Sequence, residues 1–100
     1  MVKHIVMWTV RDGVSGKTKK ENTLKLKEML EALKHKIPFI KKLEVGINYA
    51  VDDAAYDVVL YSEFESRADL EAYVVHPDHQ ALKDFIINIR DKRCFVDYET

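Results

Sequence analysis

Apolar positions in residues 2 to 11 fall into two sets, with Val2, Val6, Trp8 and Val10 on one side and Ile5 and Met7 on the other. A period of two that loads both sides predicts a first strand buried on both faces. Thr18 stands three residues before Glu21, the spacing of a capping box, and Leu26, Met29, Leu30, Leu33 and Ile37 then recur at helical spacing until Pro38. That predicts an amphipathic helix. Leu43, Val45, Ile47 and Tyr49 alternate with Glu44, Gly46, Asn48 and Ala50, as in a strand with one marginal face, and residues 51–55 form a turn. From Tyr56 a third strand sets Tyr56, Val58, Leu60 and Phe64 against Val59 and Tyr61, again with both faces loaded. Ser66 and Asp69 start a second helix that Leu70, Tyr73 and Val74 carry to His76-Pro77. Pro77 then opens a further helix with the stripe Leu82, Phe85, Ile86 and Ile89. The helical region should therefore break once, with His76 as the cap. Cys94, Val96 and Tyr98, alternating with Arg93, Phe95 and Asp97, predict a last strand.

The order strand, helix, strand, strand, broken helix, strand is that of an α+β, ferredoxin-like βαββαβ domain with a four-stranded antiparallel sheet. Right-handed crossovers put the helices on one face, which leaves the other face bare. The first and third strands are central in this topology, and they are the two with apolar residues on both sides. Ile5, Met7, Val59, Tyr61 and Phe95 would then expose a patch of roughly several hundred Å², more than soluble monomers usually tolerate. A second copy packed sheet to sheet is the expected cover.

One hundred residues suit a single domain, 1–100, since a domain usually takes roughly 100 to 200 residues. Hydrophobic content of 47% with 33% charged residues excludes disordered, collagenous and membrane-spanning classes, and three glycines leave no phosphate-cradling loop, so no nucleotide cofactor is expected. Cys94 is the single cysteine, which fits a reducing compartment, and the N-terminus alternates too much for a secretion signal, so the expected location is cytoplasmic. Net charge is −1, yet residues 17–42 carry nine lysines against Glu21, Glu28 and Glu31. Those lysines lack interleaved aromatics and pair with glutamates at i,i+4, which marks a solvated face. No nucleic-acid or membrane partner is expected.

Four segments carry a resemblance: Lys3-His4-Ile5-Val6-Met7-Trp8, Phe64-Glu65-Ser66, Tyr73-Val74-Val75-His76-Pro77-Asp78-His79 and Val96-Asp97-Tyr98. Over nearly the whole chain the sequence resembles the stress-responsive A/B barrel domain family, the dimeric α/β barrels. The resemblance implies a ferredoxin-like protomer whose homodimer closes two sheets into one barrel. The family includes plant polyketide cyclases, heat-stable plant stress proteins and bacterial members of unassigned activity.

Of the four histidines, His35 lies among lysines near a helix end and is expected at the surface. His4 falls on the Val6 and Trp8 side of the first strand, while Tyr73, His76 and His79 follow at three-residue spacing through the helix break. A pocket lined by His4, Val6, Trp8, Leu60, Leu82 and Phe85 would be apolar with a few convergent polar groups. The resemblance to the plant cyclases implies that Tyr73 and His79 serve the chemistry, a proton abstraction next to a carbonyl with the phenol stabilising the enolate. The candidate catalytic residues are thus His79 and Tyr73, and the candidate binding residues His4, Val6, Trp8, Leu60, Leu82 and Phe85. His76 and His79 lack further ligands at metal spacing, so no metal is expected. The functional expectation is a compact apolar or aromatic carbonyl ligand with cyclase or lyase activity. The alternative is a non-catalytic stress-response protein acting as a stable homo-oligomer.

Overall fold

The computed structural model describes residues 1–100 and contains four strands, β1 (Val2–Val10), β2 (Lys42–Ile47), β3 (Val58–Phe64) and β4 (Arg90–Glu99). Its helices are α1 (Lys19–Lys36), α2 (Arg67–Val75), α3 (Pro77–Gln80) and α4 (Lys83–Ile89). The sheet order is β2-β3-β1-β4 with every pairing antiparallel, the ferredoxin-like arrangement with β1 and β3 in the centre. No helix is long and apolar enough to cross a membrane.

Local chemistry sets the ends of α1. The Thr18 hydroxyl accepts from the Glu21 backbone at 3.1 Å while the Glu21 carboxylate accepts from the Thr18 backbone at 3.0 Å, closing the capping box. The Thr18 backbone bond and its hydroxyl hold the Glu21 carboxyl below its usual range. Pro38 cannot continue the helix, and Ile37 leaves it in an extended conformation. Leu26, Leu30 and Leu33 are fully enclosed against the sheet, each contributing about 1.5–3 kcal/mol by leaving water.

Along β1 burial alternates strictly, with Val2, His4, Val6, Trp8 and Val10 under the helices and Ile5 and Met7 half-covered on the other side. β3 repeats the pattern, with Val58, Leu60, Ser62 and Phe64 inside and Val59 and Tyr61 outside. The expectation for β4 needs correcting. Phe95 stands opposite Val6, and Asp97 opposite His4, so Phe95 belongs to the helix side of the sheet and not to the bare face. Cys94, Val96 and Tyr98, opposite Met7, Ile5 and Lys3, take that place. Phe95 is nevertheless 56% exposed, because β4 is an edge strand that the helices only partly roof. A charged-looking parity, Arg93-Phe95-Asp97, is what an unroofed edge allows.

The helical region also breaks twice rather than once. His76 separates α2 from α3, and Ala81 and Leu82 separate α3 from α4. The turn expected at 51–55 is present, with the Ala55 N–H donating to the Asp52 carbonyl at 3.1 Å, but β2 already ends at Ile47 and β3 starts only at Val58, so the whole connection spans 48–57.

Candidate functional site

The first helix break builds the site. Pro77 has no N–H to give, and the Asp78 N–H, which would reach the Val74 carbonyl in a continuous helix, donates instead to His76 Nδ1 at 3.1 Å. Val74 is left with a free carbonyl. It accepts from His79 Nδ1 at 2.9 Å and from Gln80 Nε2 at 2.7 Å. A carbonyl only accepts, so the proton of neutral His79 sits on Nδ1 and the lone pair is left on Nε2. Burial holds the His79 pKa below 6.5; the Val74 bond opposes this, and the His4, Lys83 and Arg93 charges add to it. At neutral pH His79 is therefore an uncharged base.

Tyr73 stacks beside it, with ring centroids 4.5 Å apart, and also touches Phe64 at 5.0 Å and His4 at 6.1 Å. Its side chain is 0% exposed and its hydroxyl has no hydrogen-bond partner. An unpaired buried hydroxyl costs about 1–3 kcal/mol, so the Tyr73 O–H is a donor still without a partner behind the cavity wall. Burial pushes the phenol's ionisation upward. Tyr73 thus stays protonated and serves as a donor rather than a base.

On β1, His4 turns under the helices and its Nδ1 meets the Asp97 carboxylate from β4. A carboxylate only accepts, so His4 donates from Nδ1 and its ring is held in one tautomer. On its other side Asp97 faces a groove of about 650 Å³ between α2 and β4, which Val2, Leu70, Val75 and Tyr98 also line.

A cavity of about 390 Å³ opens between the sheet and the broken helices, lined by His4, Val6, Trp8, Leu60, His79 and, in addition, Leu30, Val74, Lys83, Ile86, Ile87, Arg90 and Arg93. Five of the sequence-derived site residues, His4, Val6, Trp8, Leu60 and His79, therefore share one space, and Tyr73 lies immediately behind His79. Leu82 and Phe85 are not in the wall. Leu82 is buried in the core, and Phe85 lies under Lys25 of α1 with the ammonium 5.2 Å from the ring centre. The second break sets the phase of α4 so that Lys83, Ile86 and Ile87 look into the cavity instead. Trp8 is 4% exposed and its indole N–H has no acceptor. In the sequence Asp97 stands out only as part of the terminal Asp-Tyr, and nothing in the spacing of Lys83, Arg90 and Arg93 signals that they converge. No three His, Cys, Asp or Glu side chains come together as a metal site.

The model of the stress-responsive A/B barrel domain matches residues 2–100. The chain belongs to the stress-responsive A/B barrel domain family. A dimeric ferredoxin-like protein of unknown function from Bacteroides fragilis is 38% identical, with 99% of this chain and 95% of that one covered and a TM-score of 0.79. The stress-response A/B barrel domain-containing protein HS1 of Arabidopsis thaliana is 23% identical over 98% of this chain and 88% of its own length. Hydroxynitrile lyase from Passiflora edulis shares the barrel-family fold at 19% identity and a TM-score of 0.81, covering 97% of this chain and 90% of that one.

Proposed function

We propose that this A/B barrel protein binds a compact apolar or aromatic carbonyl compound in the 390 Å³ cavity and carries out acid–base chemistry on it without a cofactor, as a cyclase or lyase. One observation carries the reading: a neutral imidazole, pinned through Nδ1 to a carbonyl freed by the helix break, lies against a phenol whose hydroxyl is buried and unpartnered. His79 Nε2 takes a proton from the carbon next to the carbonyl, and the Tyr73 hydroxyl donates to the enolate oxygen as charge develops there. The Asp97–His4 pair positions the opposite wall. The name of the Passiflora edulis relative, a lyase, is in keeping with such chemistry on this fold.

The protein works as a homodimer through the bare sheet face, formed by Ile5, Met7, Val59, Tyr61, Cys94, Val96 and Tyr98. The dimeric state of the Bacteroides fragilis relative supports this. The free thiol of Cys94 suits the cytoplasm. Sedimentation at micromolar concentration that returned the protomer mass of 11.7 kDa would refute the dimer.

The activity is tested by exchange of the methyl protons of acetophenone in heavy water, followed by NMR. His79→Ala should slow the catalysed exchange by about 10²–10⁴-fold and Tyr73→Phe should also slow it, with the melting temperature of His79→Ala little changed. The second reading, a non-catalytic stress protein, is favoured by the complete burial of Tyr73. It predicts no exchange above background, no ligand response in a thermal-shift screen, and a lower melting temperature for Tyr73→Phe.

A further inference from the structure

The cavity has a floor suited to an apolar body, with Val6, Trp8 and Leu60, but its rim is basic. Only five Lys and Arg residues follow position 42 in the sequence, Arg67, Lys83, Arg90, Lys92 and Arg93, and three of them, Lys83, Arg90 and Arg93, line this one space. No acidic side chain lines it with them. Four other cations do meet a carboxylate: Lys19 meets Asp57 at 3.0 Å, Lys27 meets Glu31 at 3.8 Å, Lys41 meets Glu65 at 3.3 Å and Arg67 meets Glu99 at 2.6 Å. None of the three rim cations has an ion-pair partner. Arg93 rests over the Phe95 ring at 4.9 Å, which holds its guanidinium without neutralising it, and Arg90 reaches only the Asp91 backbone carbonyl at 3.4 Å. The nearby Asp97 carboxylate is engaged by His4. In the same wall Trp8 keeps an indole N–H with no acceptor. Three cations gathered around one apolar space that no carboxylate lines describe a binding site for an acceptor-rich negative group.

We propose that the ligand of this site is a small anion, a carbonyl compound bearing one oxyanion group, carboxylate or phosphate, which Lys83, Arg90 and Arg93 hold at the rim while its apolar body reaches His79. The inference rests on the cavity reading above and adds the charge of the substrate. It also gives a reason for placing Arg93 on the Phe95 ring: an edge strand leaves the guanidinium mobile unless something flat supports it. Binding a negative group would offset the Lys83 and Arg93 fields that help depress His79, so the base would strengthen when substrate arrives.

The test uses the full chain and three probes of similar size: salicylate, its neutral counterpart salicylamide, and phenyl phosphate. Binding is read by NMR together with the titration of the His79 ring. Salicylate should bind about tenfold or more tightly than salicylamide and should raise the His79 midpoint, whereas salicylamide should leave it in place. Phenyl phosphate binding more tightly than salicylate would assign the group as phosphate, and the reverse order as carboxylate. In Arg90→Gln and Arg93→Gln the preference for the anion should shrink toward equality, with unchanged melting temperatures and unchanged salicylamide binding. Equal binding of salicylate and salicylamide overturns the anion while leaving the cavity reading intact. Failure of all three probes to perturb His79 overturns both. If Arg93→Gln loosens the dimer without altering salicylate binding, the cations serve the interface and the proposal fails.

Discussion

The two halves of the helical layer were built to different ends. α1 runs without interruption for 18 residues, closed at its start by a reciprocal cap and at its end by proline, and the carbonyls of its interior are taken by its own N–H groups. The segment from α2 to α4 occupies a similar length but breaks at His76 and again at Ala81–Leu82. Its first break leaves a backbone carbonyl, that of Val74, free to hold an imidazole. A regular helix can bury side chains but has no main-chain acceptor to spare in its interior. An interrupted helix gives up some local regularity and gains a fixed polar group inside the protein. The difference separates the part of the molecule that stabilises it from the part that orients chemistry.

The sharpest way to break that contrast is to empty the uninterrupted side. Leu33→Ala should lower the unfolding free energy by about 2–5 kcal/mol, measured by urea denaturation, because the side chain is enclosed and leaves a cavity. A loss no larger than that of a surface substitution would mean α1 is not the main support. Next in size is the cap. Thr18→Ala removes the acceptor of the Glu21 N–H and should cost about 0.5–2 kcal/mol by the same measurement. Pro77→Ala acts on the interrupted side and should change stability by less than about 1 kcal/mol, since it returns an N–H to a turn already folded. Its stronger effect should be on His79. With α2 free to continue, the Asp78 N–H can recapture the Val74 carbonyl, and the His79 Nδ1 proton should exchange faster with solvent by NMR.

The smallest effect concerns pH. The folded pKa of His79 lies below its ordinary 6.5, so the unfolded chain takes up the proton first as acid is added. The stability that goes with a neutral His79 is therefore complete above pH 6.5 and declines as pH falls through the lower folded value. In His79→Gln the melting temperature should vary less across this window. The same titration governs activity, and exchange catalysed by His79 should rise with pH and level off below pH 6.5. A midpoint above 6.5 would contradict the burial of the ring. On the bare face Tyr61 offers a separate check, because donation to Glu63 at 2.6 Å pushes its phenol up to about 12, and Glu63→Gln should bring its ultraviolet titration back down.

Structure is legible in the sequence where a neighbour within a few residues decides the outcome. The capping box at Thr18 and Glu21, the proline stop at Pro38, the His76 cap before Pro77 and the alternation of β1 and β3 are all set by local sterics, local hydrogen bonds or a period of two. The misreadings share one cause. For β4 the pattern shows which residues alternate but not which set faces the helices, and it is the register opposite Val6 that puts Phe95, the one large apolar residue of its set, on the helix side. Likewise the stripe Leu82, Phe85, Ile86 and Ile89 is real, but the small backbone change at Ala81–Leu82 decides which part of it meets the cavity and which meets α1.

The chain alone therefore determined the elements, their order, the two-sided central strands, and the cluster Tyr73, His76 and His79 at the break. Each of these depends on contacts along a short stretch of backbone. The tertiary structure alone decided the side on which Phe95 and Asp97 fall, the pairing of His4 with Asp97 across 93 positions, and the gathering of Lys83, Arg90 and Arg93 around one cavity. Those outcomes depend on strand register and helix phase, which form only when segments far apart in the chain bury apolar surface together. No local preference of the residues involved encodes them.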